Sequence, residues 1–169
     1  MDEQERQYAE LSDMVDNFFL RGRQIRSMEN NPRYYGSDVL LYPNEVYTLK
    51  AIARQEGINQ KDLSEQMFRT KGATSMVVRK LKEKGLVVQR ESETDQRICK
   101  LYTTEKGRHV YQTHLEYDKR YVKHLAESLD VALEDLVTMN RILRMLNDRF
   151  NRRYQERGEA AFLENSEEL

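Results

Sequence analysis

Four side chains in the middle of the chain have the types and spacing of a surface that hydrogen-bonds to DNA bases. They fall at i, i+3, i+4 and i+7, so a helix places them on one face. Small, hydroxyl and guanidinium groups on such a face suit a major groove, where they can approach base edges. These residues, which we call the recognition face, are Gly72, Ser75, Met76 and Arg79. Thr70 and Lys71 precede them in a short polar turn and join the predicted contact set.

The elements that must position this face are two consecutive helices. Asn59 has the side chain of an N-cap, with an acid at the third helical position, so a first helix is predicted from Gln60 to about Phe68. In the second helix the side opposite the recognition face is a predicted buried stripe, formed by Thr74, Val77, Val78 and Leu81. Gly85 is predicted to end that helix as a C-terminal cap.

A charged hairpin follows the two helices. Residues 86–90 and 98–102 are predicted strands, and the polar segment between them is a long tip. Arg97 lies where the tip turns back, two residues after Asp95, and a projecting arginine suits a narrow minor groove. Another helix is predicted to open at residues 104–107. This order of elements is typical of a winged helix-turn-helix.

These motifs resemble the MarR family of bacterial transcriptional regulators. The resemblance rests on Leu63, the buried stripe, the run Lys84-Gly85-Leu86-Val87, the Asp95-x-Arg97 tip and the run from Thr104 to Gly107. Thr103 and Tyr42 depart from the family pattern, which usually has Leu and a Thr or Ser cap there. The resemblance implies a regulator, expected to be a repressor, that binds a pseudo-palindromic operator in double-stranded DNA. It also implies a small aromatic effector between arm and module, for which the candidate residues are Tyr47, Tyr111 and Tyr117; packing at that junction is the alternative role of these tyrosines.

The flanks of this module are predicted to be long amphipathic helices. Apolar residues recur at heptad-like spacing from Tyr8 to Ile25, and at spacings of three and four from Leu136 to Phe150. We therefore expect a mainly α fold with a small β wing, in which both arms bury their apolar seams against a second copy; an intramolecular bundle is the alternative. The predicted divisions are an N-terminal dimerisation helix (1–30), the winged helix (42–107), C-terminal dimerisation helices (108–157) and a flexible tail (158–169).

The charge distribution and the cysteine content restrict the possible functions further. The net charge is −1, but residues 44–107 hold 13 basic against 9 acidic side chains, so the basic excess lies in the predicted DNA-binding module. The chain has no apolar run of transmembrane length and no secretion signal, and its single cysteine, Cys99, agrees with a reducing compartment. We expect a cytoplasmic protein, in which Cys99 is a small buried residue rather than a redox switch.

No catalytic constellation, nucleotide-binding glycine loop or cofactor motif stands out, so an enzyme is not expected. His109, His114 and His124 are spaced five and ten residues apart, which does not match a zinc site on one helix face, and no metal is expected. One alternative function remains open. The winged helix could be a protein–protein interaction module with a solvated wing, which salt dependence of binding would distinguish from DNA recognition.

Overall fold

The computed structural model describes residues 2–91 and 99–164, and side chains as far as residue 152. The described chain is mainly α-helical with one small sheet, as expected. Its helices are α1 (Glu3–Met28), α2 (Pro43–Arg54), α3 (Gln60–Gln66), α4 (Lys71–Glu83), α5 (Glu105–Ser128) and α6 (Leu133–Glu164). Its strands are β1 (Ile58–Asn59), β2 (Val87–Glu91) and β3 (Cys99–Thr103).

Local capping sets the limits of the two central helices. The Asn59 side chain accepts a hydrogen bond from the Asp62 backbone N–H at 2.9 Å, which confirms the predicted start of α3. The helix stops at Gln66, two residues before the predicted end, because Phe68 has a left-handed backbone with φ of 49°. Thr70 then caps α4, so Lys71 is already helical rather than part of the turn. Gly85 ends that segment with φ of 69°, as predicted.

The sheet has three antiparallel strands in the order β1-β3-β2. The hairpin of β2 and β3 was predicted, and each strand lies one residue later than expected. The third strand was not predicted, because a two-residue segment has no pattern of its own. It exists because Ile58 and Asn59 pair with Leu101 and Lys100 of β3. This pairing joins the segment before α3 to the base of the wing.

One hydrophobic core lies under this module. The predicted inward stripe of α4 is buried throughout, and so are Ile58 of β1 and Leu63 of α3. Leu49 and Ile52 of α2 and Leu101 of β3 lie in the same cluster. Burial of these large side chains stabilises the module by about 1.5–3 kcal/mol for each one removed fully from water. The core therefore holds α4 by its inward side and leaves its other side free.

The chain divides into two compact units, residues 1–120 and 121–169. In the first unit, α1 has no buried residue although it carries Leu11, Phe18, Phe19 and Ile25. In the second unit, α6 likewise leaves much of its apolar seam exposed. This helix ends at Glu164, and the predicted division into arms, module and tail stays a prediction. Among the described helices, none combines the length and apolar character needed to cross a membrane.

Candidate nucleic-acid interface

The structure places the recognition face on the solvent side of α4. Gly72, Ser75, Met76 and Arg79 are all exposed, and the intervening Thr74, Val77 and Val78 are buried. Gly72 leaves open space, since nothing lies within 4 Å of the position that a Cβ would occupy. A thirteen-residue helix that is packed in the core on one side and exposed on the other is suited to entering a groove about 12 Å wide.

Arg79 is the main hydrogen-bond donor of this face. Its side chain is 70% exposed and lies 3.7 Å from the Glu83 carboxylate, one helical turn further on. An exposed pair of this kind contributes little to stability, so the guanidinium is available to an external partner. A guanidinium can donate two parallel hydrogen bonds to a guanine edge, which is the most common specific contact in protein–DNA interfaces.

Thr70 and Lys71 differ in the contacts that they can make with a ligand. The Thr70 hydroxyl accepts a hydrogen bond from the Ala73 backbone N–H at 3.2 Å, so it caps the helix while remaining exposed. Lys71 is exposed at the first helical position. Its ammonium and the free N–H groups of the first turn form a positive end that favours a phosphate.

The base of the wing is a paired hairpin, and its two strands pair from Val87↔Thr103 to Glu91↔Cys99. On β2, Arg90 lies 5.4 Å from the ring centre of Tyr102 and remains exposed. The predicted minor-groove residue Arg97 and its partner Asp95 lie outside the described residues. Cys99 is half-buried at the start of β3.

The three candidate effector residues lie on α2 and α5. Tyr47 is 54% exposed on α2, and Tyr111 is half-buried on α5. Tyr117 contacts two other rings: its ring centre is 5.6 Å from that of Tyr35 and 6.1 Å from that of His114. Tyr117 thus packs beside Tyr35 and His114, and an effector-binding role for Tyr47, Tyr111 and Tyr117 stays a prediction.

His114 is buried beside a charged pair. Asp118 Oδ2 lies 2.5 Å from Lys50 Nζ and 3.3 Å from His114 Nδ1. Burial lowers the pKa of the imidazole below its usual value, and the neighbouring Asp118 carboxylate only partly opposes that effect. Burial also raises the pKa of the Tyr35 hydroxyl. Burial therefore favours the neutral imidazole, whose ring centre lies 5.0 Å from that of Tyr35.

Sequence spacing places His114 and Tyr117 on one face of a helix, and Tyr35 is one of the junction tyrosines that could line a ligand pocket. No sequence pattern joins them to Lys50 or Asp118. Within the described part of the chain, no group of three His, Cys, Asp or Glu residues could hold a metal ion. Lys50 and Asp118 are 68 residues apart, so only the folded chain brings them together.

Comparison with known proteins gives a consistent picture. A model of the MarR family matches residues 41–98, which run from just before α2 into the wing. The transcriptional regulator BldR from Sulfolobus solfataricus is 26% identical over 86% of this chain and 99% of its own, with a TM-score of 0.61.

Two further solved structures share the fold. Streptococcus pneumoniae FabT in complex with DNA is 23% identical over 85% of this chain and 96% of its own, with a TM-score of 0.63. The transcriptional regulator SlyA is 17% identical over 85% of this chain and 97% of its own, with a TM-score of 0.71. No curated protein matches the chain by sequence.

Proposed function

We propose that this chain, which a model of the MarR family matches over residues 41–98, is a homodimeric transcriptional regulator that binds a specific DNA operator. The observation that carries the proposal is the geometry of α4. Its inward stripe is buried in the core, and its recognition face, with Arg79, is free. The related structure of FabT in complex with DNA supports the same role for this fold.

In the proposed complex, α4 enters the major groove and the base contacts come from Ser75 and Arg79, with Gly72 allowing close approach. Met76 lies at the rim, while Thr70 and Lys71 contact phosphates. Arg97 of the wing enters the flanking minor groove, oriented by Asp95. Transcription is repressed by occupancy of the operator. The proposed location is the cytoplasm, where a bacterial chromosome lies.

The proposed partner of the arms is a second copy of the chain. Within the first unit, the exposed α1 residues Leu11, Val15 and Phe18 follow a heptad-like spacing, which is suited to packing against another helix. Within the second unit, Leu146 and Phe150 extend a similar seam along α6. Two-fold symmetry then presents two copies of α4, so the operator is expected to be pseudo-palindromic with half-sites about one helical turn apart.

We further propose that a small aromatic effector modulates operator binding. Tyr117 is the predicted residue that supports this best, because it lies against Tyr35 and His114 near the Lys50–Asp118 pair. An aromatic ligand that packs against Tyr117 would also contact the rings of Tyr35 and His114, and it would lie close to α2. Tyr47 and Tyr111 complete the proposed set at its margins. Binding there would alter how α2 is held relative to α5, and so the placement of α4.

Selection of bound sequences from random duplex DNA tests the DNA-binding proposal. We expect an enriched inverted repeat, with affinity that falls steeply as salt concentration rises because bound phosphates release counterions. Arg79→Ala should lower specific affinity by about 1–3 kcal/mol and relax preference at one base position.

The matched control is Lys119→Ala, since Lys119 is also an exposed cation paired with an acid, Glu116 at 2.7 Å, but it lies on α5. It should leave specificity unchanged. Absence of any enriched sequence, combined with salt-insensitive binding to a protein partner, would favour a protein interaction module instead.

A further inference from the structure

An ion pair with a buried carboxylate lies behind the recognition face. Glu45, in the first turn of α2, is 1% exposed, and its Oε2 lies 2.6 Å from Lys84 Nζ. Lys84 is the C-cap residue of α4. The two residues are 39 positions apart in sequence, so this contact joins the end of α4 to the start of α2.

The contact is geometrically demanding. The same Glu45 Oε2 accepts a hydrogen bond from the Tyr42 backbone N–H at 2.8 Å, and Lys84 Nζ donates a second bond to the Leu40 carbonyl at 2.9 Å. Lys84 and Lys80 also lie 5.9 and 5.5 Å from the centre of the Tyr42 ring. One ammonium therefore fixes the end of α4 against three positions, Leu40, Tyr42 and Glu45.

Stability alone does not explain this arrangement. The other carboxylate oxygen, Glu45 Oε1, is buried and has no hydrogen-bond partner. A buried pair that leaves one oxygen unsatisfied has a large desolvation cost, and an apolar pair of similar volume is often as stable. The best-attested role of such ion pairs is to favour one packing arrangement of the fold over others.

Lys84 is not itself placed to contact DNA. It follows Arg79 by five residues, which is roughly 140° around a helix of 3.6 residues per turn. Its ammonium is directed toward α2, and its side chain is 28% exposed, compared with 70% for Arg79. Any effect of Lys84 on base recognition must therefore act through the position of α4.

We propose that Glu45 and Lys84 are positioning residues: they fix the position of α4 relative to α2, and so the position of Arg79 for base recognition. The inference rests on the proposed function. Base contacts depend on the placement of Arg79 within a fraction of an ångström, whereas phosphate contacts tolerate more movement. Loss of the pair is therefore expected to lower affinity for the selected operator while non-specific affinity is retained.

The test uses the full-length protein and the double variant Glu45→Gln/Lys84→Met. This variant removes both charges together, so no unpaired buried carboxylate is left, and the amide oxygen that replaces the Glu45 carboxylate can still accept from the Tyr42 N–H. We expect a folded protein whose ratio of operator to scrambled-DNA affinity falls roughly tenfold. The dependence of scrambled-DNA binding on salt should keep its wild-type slope, because no phosphate contact is lost.

The control is Lys82→Met. This variant also removes one lysine charge from the last turn of α4. The only contact it breaks among those described is a hydrogen bond from Lys82 to Gln89 at 3.1 Å. It should leave the affinity ratio unchanged. An equal fall of the ratio in this control, a salt slope reduced by about one in the double variant, or a wild-type ratio in the double variant would overturn the inference.

Thermal unfolding separates positioning from folding. A double variant that is unfolded at the binding temperature would assign the pair to stability and would also overturn the inference. If the wild-type protein itself shows no preference for any DNA sequence, the proposed function fails and this inference fails with it. A wild-type preference with an unaltered double variant removes only the inference.

Discussion

Replacement of Gly107 by alanine tests how α5 is joined to the wing. Gly107 lies in the first turn of α5, and a Cβ added there would be 2.0 Å from the Leu86 carbonyl oxygen and 2.9 Å from its carbon. Real Cβ contacts are essentially never shorter than 3.0 Å, so the two backbones must separate by about 1 Å. Leu86 is fully buried and cannot move freely.

The magnitude follows from three contributions. In a helix, Gly→Ala alone stabilises by about 1 kcal/mol. Overpacking against a fixed backbone costs about 1–3 kcal/mol. A shift of this size also breaks the bond from the Thr104 N–H to the Leu86 carbonyl, now 3.0 Å, at about 0.5–1.5 kcal/mol. The clash therefore outweighs the propensity gain, and a net loss of about 0.5–3.5 kcal/mol is expected.

The assay is urea denaturation followed by circular dichroism, at one protein concentration because dimer stability depends on concentration. Gly72→Ala is the matched control, since Gly72 also lies in the first turn of a helix, α4, but has nothing within 4 Å of an added Cβ. The control should gain up to about 1 kcal/mol. A Gly107→Ala variant as stable as the control would refute the close approach of α5 to Leu86.

Three further perturbations test the wing, the buried histidine and the arms. Arg97→Ala should weaken operator binding in a folded dimer, more on A·T-rich than on G·C-rich flanks, and Asp95→Ala should have a smaller effect in the same direction; equal titrations of wild type and variants would contradict minor-groove entry. The pKa of His114 is lowered by burial, so the stability it confers is complete above the ordinary value of 6.5 and is lost as pH falls through its lower folded-state pKa. Denaturation curves between pH 7.5 and 5 should show this loss of stability in the wild type and a smaller loss in His114→Phe. Identical pH profiles for the two proteins would contradict a contribution of His114 to this loss. Charged replacement of both Leu143 and Leu146 on α6 should yield monomers or unfolded chain without tight operator binding, and sedimentation of a monomeric wild type at micromolar concentration would remove the dimer hypothesis.

Several features of the central module were predictable because they depend on short-range chemistry. The Asn59 cap, the left-handed Gly85 and the buried stripe of α4 each arise within one or two turns of chain. Apolar residues repeating at i, i+3, i+4 and i+7 can be buried together only on one side of a helix. The opposite, recognition face therefore followed from the same pattern.

Other features needed contacts between distant parts of the chain. The short strand β1 forms only because β3 supplies its hydrogen bonds, and no pattern within two residues indicates this. The early end of α3 is a local feature that residue type did not indicate, because the positive φ of Phe68 is unfavourable for a residue with a Cβ.

By itself, the sequence determined the helix-turn-helix, the two wing strands, the exposed face of α4 and the resemblance to the MarR family, because local propensity, spacing and motif are properties of neighbouring residues. Only the tertiary structure decided which charges meet. Lys84 pairs with Glu45, 39 residues away in sequence, and Lys50 pairs with Asp118, 68 residues away. Nothing in the residues flanking a lysine specifies its partner, because that choice is made when α2 packs against α4 and α5.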